Sequence, residues 1–442
     1  MWRSDAAGGG PPGTPVDGQA GTPPREPCGP GTPLASGFPV PGEPGTPLLA
    51  QAGTPPAGPG PGTPLMGPGT PLGAGTSTPL LGQPSTPIIA SLDAPLAVDT
   101  SSVTCQGHSG VIHTIAWAPK GAGLASASQD GTAKVWESST GACAVTCSGH
   151  ESYVAGVAWA PGGDNLATAS GDGSLAVWSS RSGRRAVECR GHDGQVRCVA
   201  WAPAGARDRF ASGSLDRTVR IWDASSGACI VTCAGHSGYV YCIAWRPAGD
   251  LLASGSIDQA VRIWDGTSGA CLAKCEGHGG AVCSLSWGPG GINLASASHD
   301  KTVRVWNAKT GARVATCSGH RSRVYDVAWK MDAHRARLAS ASHDGTVRVY
   351  DGFLGVCTAK CTGHQGAVNV VAWSASGKGR RGMLASGGQD GTVRLWDATV
   401  GRCVAVHVGH LGGVTALQWS SDSRRLASGS EDSTVKLWPL EE

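Results

Sequence analysis

The feature that most constrains this chain is a Gly-His pair that returns eight times, at His108, His150, His192, His236, His278, His320, His364 and His410. The intervals are 42, 42, 44, 42, 42, 44 and 46 residues. Self-similarity at that period means one supersecondary unit copied and stacked, because a single copy cannot bury its own apolar faces. In the copy that starts at His236, residues 239–245 (YVYCIAW) are β-branched, aromatic and apolar, as in a buried strand. Pro247-Ala248-Gly249-Asp250 breaks that run as a turn. Residues 251–256 form a second strand and 260–264 a third, joined by a tight turn at Asp258. Ser268-Gly269 then leads into a fourth, 271–275, before the next Gly-His. Four short strands without a helical period predict one small antiparallel sheet. Eight such sheets set radially cover one another's faces.

These residues resemble the WD-repeat family over roughly residues 97–442. The resemblance implies an all-β, eight-bladed propeller of four antiparallel strands per blade. It also implies a hydrogen-bonded tetrad in each blade, made of His, a strand-b Ser or Thr, the turn Asp and the strand-c Trp. The matching residues are His108, Ser126, Asp130 and Trp136 in the first blade, and His278, Ser296, Asp300 and Trp306 in the fifth. Thr168 supplies the hydroxyl in the second blade, Ser386 in the seventh, and Tyr350 replaces Trp in the sixth. Buried His, Asp and indole groups need partners and can satisfy one another. Trp-Asp itself is complete only at Trp222-Asp223, Trp264-Asp265 and Trp396-Asp397, which leaves the fold unaffected because the second residue caps a turn. The chain stops just after strand c of the last repeat, whereas Val103-Thr104-Cys105 stands alone before the first Gly-His. We therefore expect this N-terminal strand to complete the eighth blade. A seven-bladed ring would leave one good repeat outside it.

Residues 1–96 have another composition. They hold 23 of the 29 Pro and nine Thr-Pro steps, from Thr14 to Thr86, with Trp2 and Phe38 as the only aromatic residues. Such a stretch buries too little apolar surface to offset the entropy of ordering it, and we expect a disordered, partly polyproline-like tail. The Thr-Pro steps match the minimal site of proline-directed kinases. A plain spacer is an equal reading. The tail carries −3 and the remainder +6 of the chain's net +3, a mild basic excess. No apolar run reaches membrane length and the N-terminus lacks a signal-like apolar stretch, so we expect a cytoplasmic or nuclear protein that is not secreted.

Sixteen Cys and the recurrent His invite a metal reading. However, Cys105, Cys147, Cys189, Cys233, Cys275, Cys317 and Cys361 each fall three residues before a Gly-His His, one per blade. Cys143 and Cys147, four apart in one strand, lie about 13 Å apart, beyond disulfide or zinc reach. We expect buried thiols in a reducing compartment, no metal and no cofactor. There is no phosphate loop, His-Glu-x-x-His or Gly-x-Ser-x-Gly elbow, and no enzyme activity is expected.

In a repeat array, what varies at exposed places is the better guide to function. The family resemblance puts three positions per blade on one rim, the top: three and five residues after the Gly-His His, and the one before the turn Asp. Four of the five Tyr in the chain fall on them: Tyr153, Tyr239, Tyr241 and Tyr325. With Arg197, Leu215, Ile257, His299, Arg323 and His343 they define a candidate surface for a peptide or loop of another protein, since Tyr and Arg are enriched at binding hot spots. The opposite rim carries Lys330, His334, Arg335, Arg337, Lys378, Arg380, Arg381, Arg424 and Arg425. This basic set lacks interleaved aromatics, so a solvated loop set outweighs RNA or ribonucleoprotein binding. Some family relatives are substrate receptors of cullin-type ubiquitin ligases and often show Arg two residues after Trp-Asp. Here only Trp178-Ser179-Ser180-Arg181 comes near that pattern.

Overall fold

The computed structural model describes residues 97–99, 102–119, 121, 123–203, 208–330, 336–375 and 383–440. The expected tail and its Thr-Pro steps lie outside the described residues, and only the backbone of Ala97–Asp99 is described. The rest is eight small sheets with one 3-10 turn, Pro289–Gly291, and no α-helix. No helix among the described residues is long and apolar enough to cross a membrane. Blade 4 is typical. Its strands a to d are Val240–Trp245, Leu251–Ser256, Val261–Asp265 and Cys271–Cys275, paired antiparallel in that order.

Each strand's composition follows from its place. Strand b is flanked on both faces by neighbouring blades, so it is built of Leu, Ala, Ser and Gly, nearly all fully buried. Small side chains let the next blade come close. A Cβ placed on Gly429 of blade 8 would stand 2.6 Å from Ile112 Cγ2 of blade 1, and one on Gly255 of blade 4 would stand 2.6 Å from Val282 Cγ1 of blade 5. The apolar clusters accordingly straddle blades. One joins Ile112, Trp117, Leu124 and Trp136 of blade 1 to Ala427, Val435 and Leu437 of blade 8. Fully burying each such side chain contributes about 1.5–3 kcal/mol.

A second ring of bonds ties successive blades. The Trp that ends strand a donates its indole N–H to a strand-a carbonyl of the preceding blade: Trp159 to Ala116 at 2.8 Å, Trp201 to Ala158 at 3.0 Å, and Trp117 to Gln418 at 3.0 Å across the seam. Blade 6 departs, since the Trp329 indole nitrogen is buried without a hydrogen bond.

The ring closes as expected. Val103–Cys105 pairs antiparallel with Val435–Pro439, with Val103 opposite Leu437 and Cys105 opposite Val435. Lys436 Nζ donates to Thr104 Oγ1 at 2.8 Å. A second N-terminal element was not expected. Ala97–Asp99 pairs parallel with the outer strand of blade 7, Arg402–Val408, and makes that sheet five-stranded.

Candidate functional site

The tetrads are present in geometry. In blade 1, His108 Nδ1 lies 2.7 Å from Asp130 Oδ2 and Nε2 lies 2.8 Å from Ser126 Oγ, which also accepts from Trp136 Nε1 at 2.8 Å. In blade 5 the distances among His278, Asp300, Ser296 and Trp306 are 2.7, 2.7 and 2.8 Å. A fifth member escaped the sequence reading. Thr132 Oγ1 donates to Asp130 Oδ1 at 2.7 Å, and Thr or Ser repeats this in every blade except the fourth, where Ala260 stands. Its signal was the Asp-x-Thr spacing. Burial opposes ionisation of Asp130, but hydrogen bonds from His108 and Thr132 outweigh it and hold the carboxyl below its ordinary range. In blade 6 His320 keeps its bonds to Asp344 and Ser340, whereas the buried Tyr350 hydroxyl makes no hydrogen bond of normal geometry. Burial raises that phenol's pKa, with nearby Ser340 partly opposing.

The cysteines three residues before a Gly-His His are buried as expected, whereas Cys143 and Cys271, at the start of the outer strand, are exposed because that strand faces solvent on the ring's outside. Cys105, Cys147 and Cys189 are buried, and burial pushes each thiol up to about 12. All fifteen described cysteines are free.

What varies between blades is gathered at the mouth of the central channel. In every blade the register of strand a against strand b slips between the fourth and sixth residue after the Gly-His His. Such a bulge inserts one residue and re-aims its side chain. The inserted residues are His113, Ala155, Arg197, Tyr241, Cys283, Tyr325, Asn369 and Thr415, and all eight line one cavity of about 400 Å³. Two of them knit the ring: Asn369 donates to Val414 O at 2.9 Å and Thr415 to Ile112 O at 2.6 Å. Tyr241, half-buried, keeps a hydroxyl with no hydrogen-bond partner among the described residues, and burial raises its pKa. Burial, reinforced by the Arg197 charge and opposed by the Gln129 hydrogen bond at 2.8 Å, lowers His113 to about 4.

The ten residues singled out from sequence divide. Tyr239 and Ile257 are exposed and adjacent, with Ile257 N donating to Tyr239 O at 3.0 Å. Arg197, Tyr241 and Tyr325 line the cavity. Leu215, His299 and Arg323 are half-buried and His343 is exposed. Tyr153 and Tyr325 are buried, contrary to the exposed patch expected. The Tyr153 hydroxyl donates to Gln195 Oε1 at 2.7 Å and accepts from Arg197 Nη1 at 3.2 Å, so it positions Arg197. Its ring lies under Gly171, where a Cβ would meet Tyr153 Cε1 at 2.5 Å. Tyr325 lies between His299 and His343, with ring centroids 6.2 and 5.8 Å away. Burial, then the Arg323 charge, lowers His299 to about 4.

Asp326 was missed. It is the one carboxylate lining the cavity among the described residues. Its oxygens accept from Ser284 Oγ at 2.6 Å, from Val327 N at 2.9 Å and from Val371 N at 3.0 Å, which links blades 5, 6 and 7. Burial raises its pKa. The Ser284 hydroxyl and the Asp326 carboxylate are thus engaged in this linkage.

The basic rim is also reduced. Lys330 is buried, and its Nζ donates to Ser374 O at 2.8 Å beside the Trp373 ring. Arg337 stacks over the same ring, and Arg425 bonds Ser138 at 2.7 Å. Arg424 is exposed. His334, Arg335, Lys378, Arg380 and Arg381 lie outside the described residues. A continuous basic face built from all nine side chains is therefore not formed. Arg181, the one residue near the ligase-receptor pattern, is exposed and paired with Asp164 at 3.3 Å.

Comparison with known proteins agrees with the geometry. A crystal structure of the computationally designed Ika8 protein is similar, with a TM-score of 0.65 and 28% identity over 78% of this chain and 100% of that one. No curated protein matches the chain. The family model described as "WD domain, G-beta repeat" matches residues 100–137, 141–179, 183–223, 227–265, 269–307, 311–351, 355–397 and 401–439. With eight matched repeats, one per blade, the chain belongs to the WD-repeat family.

Proposed function

We propose that this propeller is a non-enzymatic adaptor that captures a peptide or surface loop of another protein at the channel mouth of blades 2 to 6. WD-repeat propellers are generally scaffolds for protein interaction. The observation that carries the finer reading is the bulge repeated in all eight blades, which spends its re-aimed residue on Arg197, Tyr241 and Tyr325 just where Tyr239 and Ile257 are exposed beside it. Tyr241 offers aromatic area plus an unused hydroxyl, the combination favoured at hot spots. Tyr153 contributes by holding Arg197 in place.

The test is affinity capture by the full chain followed by titration of the captured protein. Tyr239→Ala with Tyr241→Ala is expected to weaken capture by about thirtyfold, the scale of a hot-spot loss, with an unchanged melting temperature. Undiminished binding by that variant removes the channel mouth as the docking place.

A further inference from the structure

The rim opposite the channel mouth carries a second departure from the repeat. It lies in the c–d turn, where the Asp after the strand-c Trp is capped. In blades 3 and 4 the turn reads Ser225-Ser226 and Thr267-Ser268. Ser226 Oγ donates to Asp223 at 2.8 Å and Ser268 Oγ to Asp265 at 2.9 Å. No turn in blades 1 to 5 has an apolar residue at either place. Blade 6 has Phe353-Leu354 there, and Asp351 is capped by their backbone N–H groups alone, at 2.9 Å each. Val356 follows, and the equivalent turn of blade 7 carries Val400. Exposure is 54% for Phe353, 75% for Leu354, 58% for Val356 and 68% for Val400. The blade 6 turn has exchanged its side-chain cap for exposed apolar surface, and the blade 7 turn keeps its cap from Thr399 Oγ1 at 2.5 Å but exposes Val400 beside it. Such apolar surface costs local stability unless something covers it.

The two turns are neighbours. The blade 7 turn leans on the outer strand of blade 6, where a Cβ on Gly401 would stand 2.6 Å from Lys360 O. Lys360 is four residues beyond Val356, about 13 Å along the strand.

The place where the chain enters points to the occupant. Ala97–Asp99 runs parallel to the outer strand of blade 7, with Ala97 opposite Ala405 and Asp99 opposite His407. The chain before Ala97 therefore arrives from the Arg402 end of that strand, which is the end that holds Val400. The eleven residues before it, 86–96, contain Ile88, Ile89, Leu92 and Leu96 and a single charge, Asp93. Extended, they span up to about 36 Å, ample for both turns. Tethering at Ala97 gives them an effective concentration on the order of millimolar, which no untethered partner matches.

We propose that residues 86–96 dock along the apolar turns of blades 6 and 7, so that the N-terminal segment is the cover of Leu354, Val356 and Val400. This docking is independent of the channel mouth and of what binds there.

Hydrogen exchange on the full chain tests it. Amides of Ile88 to Leu92 are expected to exchange about tenfold or more slowly than in an isolated 86–96 peptide. Phe353→Ser with Leu354→Thr, which puts hydroxyl side chains at both turn positions as in blades 3 and 4, should return them to the peptide rate. Leu354→Thr alone, far from any core contact, should act in the same direction if the double variant is unstable. Peptide-rate exchange in the unaltered chain overturns the proposal, and so does protection that survives both variants. Protection that appears only with concentration, alongside a dimer in sedimentation velocity, also overturns it and assigns the patch to a second copy.

Discussion

At the residue scale, the blade is held by one hydroxyl that serves two masters. Ser126 accepts the Trp136 indole and bonds His108, so two buried ring nitrogens are satisfied by one side chain. Blade 6 breaks this arrangement, because the Tyr350 phenol is buried without a bond of normal geometry. Tyr350→Trp should supply the missing donor to Ser340 and stabilise the protein by about 1 kcal/mol. Differential scanning calorimetry should show a rise of about 1–2 °C, and a fall would mean that the blade has lost room for the larger ring. His113 supports a second expectation. Its pKa is about 4 in the fold, below its ordinary 6.5, so the unfolded chain binds more protons between those values. The stability its neutral form supports is complete above pH 6.5 and is lost as pH falls towards 4, by up to about 3 kcal/mol. Urea denaturation of His113→Gln across that window should give a flatter profile than the unaltered chain. The tetrads were legible because they recur. The burial of Tyr153 and Tyr325 was not, because the groups that enclose them, Gly171, His299 and His343, come from turns distant in sequence.

At the element scale, the closing strand was readable as a leftover: three strands at one end of the chain and one at the other. Its three residues pair with Val435–Pro439 and place Cys105 in the cluster that joins blades 8 and 1. Removing residues 1–101 should leave the melting transition nearly in place. Removing 1–105 should cost about 3 kcal/mol or more and expose an unpaired edge prone to aggregation. Paired thermal melts with light scattering would separate these outcomes, and equal stability of the two truncations would show that closure does not depend on this strand. The parallel strand Ala97–Asp99 gave no such sign. Three residues that join a partner 308 positions away, with no turn between them, leave no local pattern to read. The eight bulges were likewise hidden, since a bulge is a mismatch between two strands and not a property of one.

For the whole molecule, the eight apolar clusters each draw on two successive blades, and the last spans the seam. Blade number and ring closure could be inferred because every repeat leaves both faces apolar and so demands neighbours on both sides. The functional asymmetry was harder to see. The +5 column of the repeat marked the channel mouth, but Asp326 sits one place further on, in a column of otherwise small or apolar side chains, and the exposed Phe353-Leu354 turn lies on the far rim. Ala97–Asp99 and Val103–Cys105 join two blades in succession, first at the outer strand of blade 7 and then as the outer strand of blade 8. This order has a mechanical consequence. Tension pulled through the first 96 residues meets the blade 7 pairing before it reaches the seam. The parallel strand thus acts as strain relief, yielding first and sparing the clasp on which the ring's integrity depends.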